Sequence, residues 1–431
     1  MFISRQSVLA KKIPNAIKSL MGNIAMQGVV AAAEHNAQKP APFLMADGVK
    51  IAVNNLSLRD SDATHHVQQA QFLARQDRWE DLSKNIRLAD LSRGKCSDGT
   101  SVAEQLIFGA RADVVAAATH ALLHGTPAED ADFYHGIKDM EQLLTESPED
   151  YTLGLIVAHM HMDIGRAWRG YGAEDAVSEE NRAAYAHHFA RAEEIIDSYC
   201  PHELDSPALS AARCALLAGP DREADSIADD YEDLIDLDPG NARHMRALGT
   251  YLLPQWYGDY QQIDREARRT AARTHDLWGS GGYTWVWFDA LLMDPNSVAH
   301  LDCDYFLEGV TDILSRANSQ DTANLMAAQV YAIWQSSFKA EQKGQTTIAQ
   351  TEALRRGFAD IVHNNLREVH PLIWGQTEIG TDTASRSVSL DRLAKKGRDI
   401  ALNAVAQPFA KLIMQGTTIH IGRDGITALH P

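Results

Sequence analysis

The sequence is short of cysteine, of cations and of strand-forming runs, and each shortage excludes something. Four cysteines, Cys96, Cys200, Cys214 and Cys303, are scattered through 431 residues with no C-x-x-C pair. Neither a zinc ribbon nor a disulfide framework is expected, and a reducing, cytoplasmic compartment fits best. The 40 Lys and Arg are outnumbered by 58 Asp and Glu, for a formal charge of -18. Such a chain repels polyanions, so nucleic acid is excluded as a default partner. No uninterrupted run approaches the roughly 18 apolar residues of a membrane-spanning helix, which points to a soluble protein. The segment 1–34 carries Arg5, Lys11, Lys12 and Lys18 with no acid before Glu34, and Ile13, Ile17, Leu20, Met21 and Ile24 recur at helical spacing. A basic amphipathic helix of this kind packs on its own domain, docks on a partner, or lies on an anionic membrane; the first reading is preferred.

What is abundant is helical periodicity. The clearest stripe runs from Tyr151 to Trp168 through Leu153, Ile156, Val157, Met160 and Ile164. Similar patterns cover most of the chain, with one helix expected over 346–369 and a Thr/Ser/Gly-rich linker over 379–389. Only Phe43–Val53 and Thr418–Leu429 read as β-hairpins, each with an Asp-Gly turn between short β-prone runs. A lone hairpin is marginal in water, so the two must pack on helices or on each other.

Punctuation between helices adds a family resemblance. LLTESPED, LIDLDPGN and LLMDPNS each end a helix at a proline, Pro148, Pro239 or Pro295, followed by Asp or Asn that can cap the next. Leu248-Gly249 after Pro239, and Val157-Ala158 after Pro148, stand where a small residue allows close helix packing, with Gly165 expected to end the earlier helix. These pieces resemble tetratricopeptide repeats (TPR). No fixed period runs through the chain, so the resemblance implies a degenerate array. The segment from His244 to Arg268, with its Leu252-x-Pro254-x-Trp256 turn, is also similar to one found in uncharacterised bacterial tetratricopeptide-like proteins.

The expected fold is therefore all-α: an irregular TPR-like α-helical hairpin superhelix (α-solenoid) with small β-hairpin elements near both termini. Three segments are expected: 1–60 with the basic helix and a hairpin, 61–378 as the helical repeat domain, and 379–431 with linker, last helix and hairpin.

No chemical motif is complete. His120 and His124 have zinc-ligand spacing but lack the intervening Glu, and His159 and His161 point about 200° apart on a helix, so neither pair is read as a metal site. The glycine-rich WGSGGYTW, Trp278 to Trp285, lacks the lysine of a phosphate loop and follows no strand. Asp302-Cys303-Asp304 reads as acids opening a helix. No catalytic residue, metal or cofactor is assigned. Charge and aromaticity say more. The acidic run Asp221–Asp238 precedes Arg243, Arg246, Arg265, Arg268, Arg269 and Arg273, and four of the eight tryptophans fall between Trp256 and Trp287. Mutual neutralisation and a packed aromatic core are the plainer readings. The functional one is a groove for an acidic protein or peptide segment, built from Arg243, His244, Arg246, Trp256, Tyr257, Tyr260, Arg268 and Trp285, with Pro254 turning Trp256, Tyr257 and Tyr260 into an aromatic corner. The expected function is a protein-binding scaffold. An enzyme with a helical active site near residues 244–288, or a membrane-associated or toxin-like protein acting through its N-terminal helix, are the alternatives. A buried histidine–acid pair would favour the enzyme.

Overall fold

In the computed structural model, the described residues are 43–46, 48–55, 59–97, 99–123, 131–170, 177–220, 227–342, 344, 346–379 and 389–429. Among them, helix accounts for 75% of the structure, as 18 helices beside a small sheet; sixteen are numbered below, and the other two, His275–Trp278 and Ala410–Met414, are single turns of four and five residues. The described residues fall into two compact units, one within 59–241 and the other joining 43–55 to 242–429. The basic N-terminal segment 1–34, His124 and most of the expected linker lie outside the described residues.

The first unit contains α1 (Arg59–Arg75), α2 (Trp79–Leu91), α3 (Val102–Leu123), α4 (Ala131–Glu146), α5 (Tyr151–Arg169), α6 (Glu179–Asp197), α7 (Pro207–Leu216) and α8 (Ile227–Leu237). Its core is organised around α5, whose Leu155, Ile156, Val157, Ala158, Met160, Met162 and Ile164 are fully buried. That is more than one stripe, because α5 has α3, α4, α6 and α7 around it. Asp150 caps α5, accepting from the Thr152 amide at 3.0 Å, so the Pro148 punctuation works as expected. The helix ends at Gly170 (φ 67°) rather than at Gly165, which instead lies against His188 and Phe189 of α6.

Helix α3 is the most apolar long helix among the described residues. It is long and apolar enough, by length and composition alone, to cross a membrane, and 33% of its most apolar window is buried. Its apolar character is interrupted by Arg111, which is buried and paired with Asp163 of α5 at 2.7 Å. Arg166 holds the other carboxylate oxygen at 3.0 Å. This buried ionic knot fixes α3 against α5.

The second unit contains β1 (Phe43–Ala46), β2 (Val49–Val53), α9 (Ala242–Tyr251), α10 (Tyr260–Arg273), α11 (Gly281–Met293), α12 (Cys303–Ala317), α13 (Gln320–Glu341), α14 (Ile348–Asn364), β3 (Glu368–Val369), α15 (Pro371–Ile379), α16 (Leu390–Ala406), β4 (Thr418–Gly422) and β5 (Gly425–Leu429). Both hairpins form where the Asp-Gly signals stand, with Gly48 and Gly425 at φ 90° and 113°. They pack on each other: β2 pairs in parallel with β4, giving the order β1-β2-β4-β5, and β3 joins β2 in parallel. The helix expected over 346–369 stops at Asn364, and Pro371 opens a further helix, Pro371–Ile379, to which the sequence reading assigns no element.

Polar groups at this junction are fully used. Asn324 is completely buried; its carbonyl oxygen accepts from the His370 amide and the Trp374 indole, each at 2.9 Å, and its amide donates to Gln320 and Glu368 carbonyls. The His370 ring sits between Asp321 at 2.7 Å and Glu368 at 2.8 Å. Burial opposes its charge, but the two carboxylates prevail and raise its pKa. An imidazolium thus clasps the start of α13 to β3.

Helix α11 is the centre of this unit. Trp285 and Trp287, which lie on opposite helix faces, are both buried, as are Tyr283 and Phe288. Helices α9, α10 and α12 pack around α11 and cover both sides. Gly249 of α9 permits one of these approaches: a Cβ there would lie 2.8 Å from the Val286 carbonyl carbon and still closer to its oxygen. The small-residue reading of Leu248-Gly249 is therefore correct at this position. The Pro295 punctuation works differently from expectation, because Asp294, not Asn296, caps the 3-10 turn that follows.

Candidate functional site

The residues singled out around 243–288 do not form one constellation. Arg246 makes a bidentate pair with Asp289 (2.9 and 2.8 Å) and lies over Phe288. Arg268 bridges Asp264 and Asp302, both at 2.9 Å, and covers the rings of Tyr283 and Tyr305. Arg265 and Arg269 share the buried Glu266. None of these partners comes from the acidic run 221–238. Arg243 is half-buried on α9 beside buried His244. Pro254 does end α9 early, but the aromatics that follow separate. Tyr257 stacks on Tyr251, Trp256 is 37% exposed, and Tyr260 stacks on His300 at 4.3 Å while donating to Asp294 at 2.6 Å. Burial and that carboxylate push the Tyr260 hydroxyl up to about 12. Trp285 is a core residue, edge-on to Trp278.

The other sequence candidates resolve into structural roles. At the glycine-rich turn, the Ser280 amide donates to Asp312 (2.7 Å) and its hydroxyl to Glu308 (2.7 Å), so carboxylates of α12 occupy the place an anion would take. Asp302 caps α12 through the Tyr305 amide. Burial, and then Asp304 and Asp302, push the Cys303 thiol up to about 12, far from a thiolate. No group of three potential metal ligands occurs among the described residues.

Two arrangements were not legible in advance. The first is a groove of about 520 Å³ between α12 and α14. Helical spacing builds its floor: Leu307, Val310 and Leu314 line one wall, Ala353 and Ile361 the other. Thr311, Arg356, Asp360 and Asn364 stand exposed along the rim. On α14, Arg355 is spent on Glu352 at 2.6 Å. Arg356 forms no ion pair among the described residues, and so presents a cation to the groove.

The second is a chain of hydrogen bonds in the first unit that runs from the half-buried Arg191 and Glu141 to two buried histidines. Arg191 of α6 holds Glu141 of α4 through both oxygens, at 2.9 and 2.8 Å, and Glu141 contacts His161 Nε2 at 2.8 Å. His161 Nδ1 in turn lies 2.8 Å from His188 Nδ1. Arg191, helped by His161, holds the Glu141 carboxyl down at about 2, so it is an acceptor at neutral pH. Burial, then His161 and His187, pull His188 down to about 3. Facing a carboxylate, His161 Nε2 donates to Glu141, and the 2.8 Å Nδ1–Nδ1 contact holds a single hydrogen between the two rings. HMHMD had drawn attention to His159 with His161. The partner of His161 is instead 27 residues away on the next helix.

The chain was compared with family models, with curated proteins and with solved structures. No match was found in any of the three.

Proposed function

We propose that this chain is a binding protein of the helical-repeat kind, with a tetratricopeptide-like hairpin arrangement, and that it holds a short acidic peptide segment of a partner protein. The observation that carries this reading is the α12/α14 groove with Arg356 at its rim. Its volume lies in the range of ligand sites. Its walls run from Asp304 to Ser315 and from Ala353 to Asn365, about 16 Å at helical rise. An apolar floor with a mixed polar rim suits a segment that buries two or three side chains and offers a carboxylate to a guanidinium. The arginines of α9 and α10 contribute less, since Arg246 and Arg268 already hold protein carboxylates.

The test uses an array of short synthetic peptides and a matched pair of variants on one helix. Arg356→Gln should weaken the retained peptides roughly tenfold or more, as loss of one charged contact implies, while Arg355→Gln leaves binding unchanged. Equal binding by both variants would refute the assignment of this groove. An enzymatic reading draws on a different observation, the Glu141–His161–His188 chain. Turnover of an activated ester that disappears in His188→Gln would favour it.

A further inference from the structure

The Glu141–His161–His188 chain joins three helices through one shared proton. Glu141 comes from α4, His161 from α5 and His188 from α6, and both rings are buried at 4% and 8% exposure. Their Nδ1 atoms are 2.8 Å apart and the ring centroids 5.1 Å apart. That separation accommodates one N–H facing one lone pair. It does not accommodate two N–H groups, which would meet head-on between two cations.

The remaining groups around the pair leave no room for compensation. On α4, Glu141 is already neutralised by Arg191 of α6, which also pairs with Glu194. On α5, Asp163 is held by Arg111 of α3 and by Arg166, and His159 is pulled down to about 3 by burial and by those same arginines. On α6, His187 lies edge-on to His188. The first proton taken up by the pair has a partner in Glu141. A second has none. Gly165 of α5 faces His188 closely: a side-chain carbon added at Gly165 would stand 3.1 Å from His188 Cβ and 3.2 Å from the Phe189 ring, so α5 and α6 run tightly together beside the pair.

We propose that the His161–His188 pair is an acid-sensitive latch: it holds α6 on α5 while one proton is shared between the rings, and releases α6 when each ring carries its own. Released His188 returns to the ordinary imidazole range, so each opening is coupled to uptake of one proton. Below about pH 6.5 the open population rises tenfold per pH unit, until the closed state itself protonates.

Hydrogen exchange of the full chain measures this directly. After correction for intrinsic exchange, the opening constant of α6 amides should rise roughly fifteenfold between about pH 6.5 and about pH 5 in the wild type. It should stay nearly flat in His188→Gln and keep its slope in His159→Gln. An equal slope in His188→Gln, or loss of the slope in His159→Gln alone, overturns the latch. Imidazole nitrogen resonances of the wild type provide a readout that needs no variant. His188 remaining neutral through about pH 5 in the closed state supports the proposal, and His188 titrating near 6.5 without any rise in α6 exchange overturns it.

Discussion

Substituting Gly249 by alanine sets two known effects against each other. In the interior of an exposed helix, Gly→Ala stabilises by about 0.5–1 kcal/mol, because alanine has less backbone freedom to lose. Gly249, however, lies on the α9 face that meets α11. An added Cβ would stand 2.8 Å from the Val286 carbonyl carbon and 3.3 Å from Val286 Cγ1, against about 3.5–4.0 Å for an unstrained carbon contact. The nearest group belongs to the main chain of a buried helix, so no rotamer change relieves it. The helices must move apart by roughly 1 Å, which loosens Met245, Leu248 and Val286, all now buried. Overpacking of this kind costs about 1–3 kcal/mol, and a rigid obstacle places it at the upper end. The net effect should be a loss of about 2 kcal/mol, or roughly thirtyfold in the folding constant of the second unit. Urea unfolding followed by tryptophan fluorescence reads that unit through the α11 indoles. The midpoint should fall by about 1 M. A midpoint equal to or above the wild type would show that propensity dominates and that the close approach of α9 and α11 is misjudged.

Two further outcomes follow from ionic groups. Because Asp321 and Glu368 raise the His370 pKa above its unfolded value, its stabilisation is complete below about pH 6.5 and is lost as pH rises through the folded pKa. The urea midpoint of the wild type should therefore fall as pH rises above about 6.5 and that of His370→Asn should not; parallel curves would remove the clasp from the account. In the first unit, Arg111→Met leaves Asp163 buried with only Arg166, and should cost about 3–5 kcal/mol. The double variant Arg111→Met/Asp163→Leu should recover most of this, since Arg166 can extend its head group to water. A double variant no more stable than the single one would show that packing, not desolvated charge, sets the cost.

The features that were legible are those encoded locally. Asp47-Gly48 and Asp424-Gly425 mark hairpins because a left-handed turn constrains adjacent residues, and the stripe of α5 follows from spacing alone. Strand β3 was hidden inside a helical pattern because a two-residue strand has no periodicity of its own; β2 defines it through Asn54 and the Val369 carbonyl. Trp285 and Trp287, two apart on one helix, meet different neighbours, and which helices cover α11 on its two sides is not encoded in that spacing. The arginine groove failed to assemble because charge content does not reveal which carboxylates, here Asp264, Asp289 and Asp302, lie closest in space. The His161–His188 bond and the α12/α14 groove required knowing which helix stands beside which. Neither is a spacing within one element.

The parallel ladder between β2 and β4 has a consequence for how the chain is made. Val49 and Ile51 leave the ribosome before the whole of the first unit, yet Ile419 and Ile421, their partners in the parallel ladder, are synthesised after nearly everything else. Throughout that interval the β1/β2 hairpin is an orphan, with an apolar face and an open edge that match any extended segment nearby. A stalled or truncated product lacking β4 keeps that edge indefinitely, and is the species on which chaperones would act.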